Sequence, residues 1–258
     1  MESSILMNSN IYRIDPSSFV TDIVTQDFRT ADIFRKYNID FCCGGKWPLD
    51  IVCKNNNVEV EIVLNELQNI VSQSSSNAAI DFDSWDIDFL TDYVLNVHHR
   101  YLKKALPDVK VQISKFLDGH LKTYPELVIL EEIINRFMKE IPPHMTKEEE
   151  IYFPYIKQIY HAHKHRESYA RLLIRTLRKP LEEVMIKEHE TTGSNLHRLR
   201  MATNNYTPPD KTCITHKVTF AKLKELDKDL VQHIHIESNI LFPKAIKMEQ
   251  ELLQDKGF

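Results

Sequence analysis

Apolar residues recur along most of the chain at intervals of three and four, the period of helices that bury one face. Near the N-terminus, Asp27 stands where it can cap a helix whose apolar positions are Phe28, Ala31, Phe34 and Tyr37. The run N-I-D-F-C-C-G-G, from Asn38 to Gly45, interrupts that pattern. A second amphipathic stretch follows from Val58 to Val71 through Ile62, Leu67 and Ile70. S-Q-S-S-S-N, from Ser72 to Asn77, has almost nothing apolar to bury and reads as a linker.

From Trp85 onward the same period predicts four long helices. The first is expected from about Asp86 to Ala105, ending near Pro107, with a return segment from Asp108. The second covers Glu126 to Tyr160, and Pro142-Pro143 is expected to bend it or to start a new segment at His144. H-A-H-K-H, from His161 to His165, is expected in a solvated loop leading to Pro180. The third helix runs from there to about Thr203, and the fourth from Thr215 to Lys247. Short polar connections between amphipathic helices make an antiparallel bundle. The expected organisation is all-α: a small helical domain over residues 1–76, a linker over 77–84 and a four-helix bundle over 85–258.

Composition narrows the class. Only 5 Gly stand against 12 His and 42% hydrophobic residues, which suits a compact helical protein with few tight turns. Lys and Arg number 33 against 37 Asp and Glu, a net charge of -4, and this gives no argument for a nucleic-acid partner. No apolar run approaches the roughly 18 residues of a membrane span. Met1 to Asn10 lacks the basic start and apolar stretch of a secretory signal. Four cysteines, two of them adjacent, do not form a disulfide framework for an exported protein, so the expected location is the cytoplasm.

The chemistry concentrates in a repeat. H-M-T-K-E-E-E-I-Y-F-P, from His144 to Pro154, recurs as H-I-H-I-E-S-N-I-L-F-P, from His233 to Pro243. In both, His and Glu are four apart, about one helical turn, so they share a face. One such pair often does no more than stabilise an exposed helix by a few tenths of a kcal/mol. The shared spacing and closing Phe-Pro favour metal binding over a duplication that serves packing alone. A two-metal bundle also needs ligands from the other two helices. His189 lies on a face with Met185, Thr192, Leu196 and Leu199. On the first helix, Val94, His98 and Tyr101 form one stripe, and Leu95, His99, Leu102 and Leu106 another; periodicity admits both. Four imidazoles with Glu148 and Glu237 as bridges suit iron or manganese better than a closed zinc site. Cys53 and Cys213 have no comparable setting. Cys42 and Cys43, at a Gly-containing turn, are candidates for thiol exchange or metal transfer, with packing thiols as the alternative.

Taken in order, several motifs resemble the Repair of Iron Centres family of di-iron proteins. They are Asp27 to Gly45, His98-His99-Arg100 with Leu106-Pro107, His144 to Glu149, Lys187 to Glu190, and His233 to Pro243. The resemblance implies a hemerythrin-like four-helix bundle preceded by a small cysteine domain. It makes His99, His144, His189 and His233 the nitrogen ligands, with Glu148 and Glu237 bridging two oxo- or hydroxo-bridged iron ions. It selects His99 over His98. The implied function is repair of iron-sulfur clusters damaged by nitric oxide or oxidative stress, by iron donation with redox or thiol help from Cys42 and Cys43. Damaged iron-sulfur proteins and an electron donor are the implied partners, nitric oxide and dioxygen the implied small ligands, and a homodimer the implied assembly. The alternatives are nitric oxide reduction at the irons, or sensing of nitric oxide or dioxygen.

Overall fold

The computed structural model describes residues 14–41, 45–72, 80–176 and 181–254, the side chains of 176 and 181–186 excepted. The chain divides into two compact units, Met1–Asp81 and Phe82–Phe258.

In the first unit, α1 (Val20–Gln26), α2 (Ala31–Lys36), α3 (Leu49–Asn55) and α4 (Val60–Ser72) enclose a small core. Val20, Ile23, Phe34, Phe41, Leu49, Val63 and Leu67 are buried there. Asp27 accepts a hydrogen bond from the Arg29 amide at 3.0 Å and so caps the 3-10 turn Phe28–Thr30 that leads into α2. Gly45 is constrained by its own domain: a Cβ there would lie 2.7 Å from Thr21 Oγ1 and 2.8 Å from the Phe41 carbonyl oxygen. Packing against Thr21 and Phe41 therefore requires glycine at this position.

The second unit is built on four long helices. α5 joins Ile87–Tyr93, a π-turn Val94–His99 and Arg100–His120. α6 joins Ile129–Lys147, a π-turn Glu148–Tyr152 and Phe153–His165. After short α7 (Ala170–Thr176) come α8 (Leu181–Ala202) and α9, which joins Ile214–Ile236, a π-turn Glu237–Leu241 and Phe242–Gln254. Neighbours run antiparallel. Moving back along α5 from Lys103 to Asp92 to Asp86, the partners on α6 advance from Glu149 to Lys157 to Tyr160. α8 and α9 are clasped in the same sense by His189–Ser238 and Arg200–Asp227.

Two expectations are corrected, and one of the two alternatives for Pro142-Pro143 is excluded. α5 continues past Pro107 to His120, because Val109, Ile113, Phe116 and Leu117 carry its buried stripe onward. Core burial at about 1.5–3 kcal/mol per large apolar side chain is of the size needed to offset one interior proline. Pro142 and Pro143 lie within Ile129–Lys147 and do not begin a new element. H-A-H-K-H is helical, not a loop: Ile156, Ile159 and Ala162 bury one face of α6 up to His165, where Arg166 at φ 52° ends the helix. No helix among the described residues is long and apolar enough to cross a membrane.

Candidate metal centre

Each π-turn lies at a histidine or glutamate of the candidate site. The Arg100 amide donates to the Leu95 carbonyl, that of Phe153 to Glu148 and that of Phe242 to Glu237, each reaching back five residues. Pro154 and Pro243 follow at once, so the missing proline N–H falls where the helical ladder is already offset. The repeated Phe-Pro pair thus lets a helix carry a π-turn at its glutamate and continue.

Six side chains from the four long helices converge as two clusters. His99, Glu148, His233 and Glu237 offer donor atoms that all lie within 4.8 Å of one another, and so do His144, Glu148, His189 and Glu237. Both glutamates belong to both clusters. Glu148 sets Oε2 3.3 Å from His99 Nε2 and Oε1 3.2 Å from His144 Nε2. Glu237 sets Oε1 2.9 Å from His233 Nε2 and Oε2 3.3 Å from His189 Nε2. Both carboxylates are fully buried, whereas His144 keeps 12% of its side chain exposed and marks the side nearest solvent.

This donor set fits a pair of cations. Glu148 Oε1 and Oε2 and Glu237 Oε2 are buried without a hydrogen-bond partner, a costly condition that a bound cation relieves. Within each cluster two imidazole Nε2 atoms face each other, at 3.2 Å for His99–His233 and 3.3 Å for His144–His189. With metal–nitrogen bonds of about 2.1 Å, that separation subtends about 100°, between the octahedral and tetrahedral angles. Two His/Glu clusters able to bind metal ions are therefore present, and their sharing of both carboxylates is the pattern of a two-ion site.

The electrostatics agree. Burial would lower the His144 pKa, but Glu148, with Glu188 and Glu237, overrides it and pushes it up to about 10. His99 is raised likewise, against burial, by Glu148, Glu237 and Glu149. Glu148 and Glu237 stay ionised despite burial, held below the usual carboxylate range by the histidines that face them. A divalent cation satisfies the same carboxylates and takes the place of those imidazole protons.

Outer groups orient three of the four rings. His99 Nδ1 meets Glu149 Oε1 at 2.8 Å, and Lys103 holds Glu149 Oε2 at 2.8 Å. His144 Nδ1 meets Glu188 Oε2 at 2.6 Å, and Lys147 holds Glu188 Oε1 at 2.6 Å. The His144 contact, aided by Lys147, holds the Glu188 pKa down to about 2. His189 Nδ1 meets Ser238 Oγ at 2.7 Å. The two repeated phenylalanines cover rings on other helices: Phe153 stacks on His99 at 5.6 Å, and Phe242 on His189 at 6.2 Å.

His98, the alternative on α5, is buried outside both clusters; its Nδ1 meets Asp229 Oδ1 at 2.9 Å and its ring lies parallel to His233 at 5.5 Å. His235 is also buried, beside Asn239, and His197 is exposed. His161 and His163 face Asp88 and Glu251. His216 is buried among Phe116, Tyr124 and Phe220, and His120 Nε2 lies 2.9 Å from Cys213 Sγ. Cys42 and Cys43 lie outside the described residues. Sequence reasoning missed Glu149, Ser238 and the stacking of Phe153 and Phe242. Each lies beside a ligand candidate or within the repeat, but its partner is on another helix, which no single-helix period reveals.

Comparison with known proteins converges on the same features. A family described as "Domain of Unknown function (DUF542)" (ScdA_N) matches residues 17–71, and "Hemerythrin HHE cation binding domain" matches residues 90–245. The chain is 32% identical over 221 residues to the iron-sulfur cluster repair protein YtfE of Shigella boydii, covering 86% of this chain and 93% of that protein. It is 28% identical over 233 residues to the iron-sulfur cluster repair protein ScdA of Staphylococcus epidermidis, covering 90% of this chain and 99% of the relative.

Proposed function

Because the chain belongs to the Repair of Iron Centres family, the ScdA- and YtfE-like proteins with a hemerythrin-like domain, we propose that it is a di-iron protein that repairs damaged iron-sulfur clusters by donating iron. The observation that carries this reading is the pair of four-donor clusters sharing both carboxylates. His99 and His233 hold one ion, His144 and His189 the other, and Glu148 and Glu237 bridge them. When bound, iron supplies open coordination positions, two accessible oxidation states and affinity for nitric oxide or dioxygen.

The protein's own groups do the rest. Glu149, Glu188 and Ser238 keep imidazole Nε2 atoms turned toward the cavity. Phe153 and Phe242 stack on ligand rings and limit water on those sides. The partly exposed His144 gives the cavity a solvent-facing edge. Iron binds N/O sites less tightly than the later divalent ions, which suits a donor rather than a permanent structural site. The receiving partners are damaged iron-sulfur proteins, and an external electron donor sets the oxidation state. Cys42 and Cys43, on the small unit, are the proposed thiol groups that assist transfer.

The test mixes iron-loaded protein anaerobically with an apo iron-sulfur protein, sulfide and a reductant, and follows cluster recovery by its visible absorption. Recovery is expected with the wild type and lost with His233→Ala or Glu148→Gln. Recovery equal in wild type and both variants would rule out donation from the bundle.

A further inference from the structure

The two clusters share Glu148 and Glu237, so any difference between them must come from their histidines. His144 and His189 both have Nδ1 anchored, by Glu188 at 2.6 Å and Ser238 at 2.7 Å. In the other cluster only His99 is anchored, by Glu149 at 2.8 Å. His233 Nδ1 is buried and finds no hydrogen-bond partner among the described residues.

This matters because an imidazole that binds metal through Nε2 must carry its proton on Nδ1. An acceptor at Nδ1 favours that tautomer and fixes the ring before the ion arrives. His233 has no such acceptor, and its Nε2 already contacts Glu237 Oε1 at 2.9 Å, the shortest histidine–glutamate Nε2 contact in either cluster. The tautomer that donates from Nε2 to Glu237 competes directly with metal binding. Metal entering between His99 and His233 must displace that hydrogen bond and leave a buried Nδ1–H without an acceptor. Metal entering between His144 and His189 meets two rings already held in place.

We propose that the two ions are inequivalent, the His144/His189 position retaining its ion and the His99/His233 position giving up the transferable one. This rests on the two-iron reading above and assigns its cargo to one position. Loss of an outer-sphere partner typically weakens metal binding about 10- to 100-fold, so the two affinities should differ by about that factor. His144 is the more exposed ligand, so ease of access alone would favour departure from the His144/His189 position. Equilibrium measurement separates affinity from ease of access.

The experiment equilibrates ferrous-loaded full-length protein with graded amounts of a ferrous chelator and counts iron retained per chain. The wild type should begin with both clusters filled and pass through a plateau with one filled. His233→Ala should keep one ion at the wild-type tight affinity, whereas His189→Ala should keep an ion only weakly. Ser238→Ala, a mild change that removes the His189 anchor, should abolish the plateau by weakening the tight position about tenfold or more. Two ions lost together from the wild type, or a tight ion that survives His189→Ala but not His233→Ala, would overturn the assignment. A wild type that never takes up two ions would instead overturn the two-iron reading and the proposal with it.

Discussion

Glu148 and Glu237 face each other as wholly buried carboxylates, with oxygens of the two within 4.8 Å in both clusters. Two like charges at that distance in a low-dielectric interior repel strongly, and each has at least one oxygen without a hydrogen bond. Metal binding and folding are therefore coupled. At free metal about a thousandfold above its dissociation constant, one bound ion stabilises the fold by about 4 kcal/mol. Chelation should lower the melting temperature by on the order of 10 °C for a unit of this size, and re-addition of ferrous iron should restore it. Equal melting temperatures with and without metal would contradict the coupling.

Phe153 connects the repeat to a ligand on another helix. Its ring is 1% exposed and stacks on His99, so replacement by Leu keeps a buried apolar group but removes the planar cover. Phe153→Leu should cost under about 1.5 kcal/mol by denaturant titration. It should nevertheless speed iron loss to a chelator several-fold, because His99 gains freedom. Phe153→Ala adds a cavity and should cost about 3–5 kcal/mol. Unchanged iron retention in Phe153→Leu would remove the positioning role.

Arg200 and Asp227 make a buried two-pronged ion pair, at 2.9 Å and 2.6 Å, between α8 and α9. Arg200→Met leaves the carboxylate of Asp227 buried without its main partner and should destabilise by about 3–5 kcal/mol. The double variant Arg200→Met/Asp227→Leu should recover most of that loss in the same unfolding assay. A double variant no more stable than the single one would show that the pair is not coupled as the geometry implies.

The two described cysteines should titrate in opposite directions. Cys53 is buried in the small unit, and burial, with Asp50 and Glu61, raises its pKa to about 11. Cys213 is exposed, and the His216 backbone amide, then His120, hold its pKa below the ordinary thiol value. Alkylation follows the thiolate, so its rate rises with pH up to each pKa. Peptide mapping after iodoacetamide at pH 7.5 should find Cys213 labelled well ahead of Cys53. His120→Ala should move the Cys213 profile to higher pH. Equal labelling of the two thiols would refute the assignment.

The sequence carried the bundle and the repeated His–Glu pairs because a four-residue spacing needs only the helical period. His144 with Glu148, and His233 with Glu237, are close in the chain, and a single turn brings them together. The choice between His98 and His99 was beyond periodicity for a physical reason. The π-turn Val94–His99 inserts extra winding just there, so the 3.6-residue phase no longer predicts which ring faces inward. Local propensity alone predicts a stop at Pro107 and a loop over His161 to His165, and the apolar faces that bury those segments override it. The anchors Glu149, Glu188 and Ser238 each serve a histidine on a different helix, a relationship that exists only once the helices are packed.

The most direct measurement is iron content with Mössbauer spectroscopy on protein loaded anaerobically with iron-57 and freed of excess metal. One ion in each cluster predicts two irons per chain in nitrogen- and oxygen-rich environments, falling below two in Glu237→Gln. A single iron, or retained zinc with iron excluded, would contradict the shared-carboxylate centre.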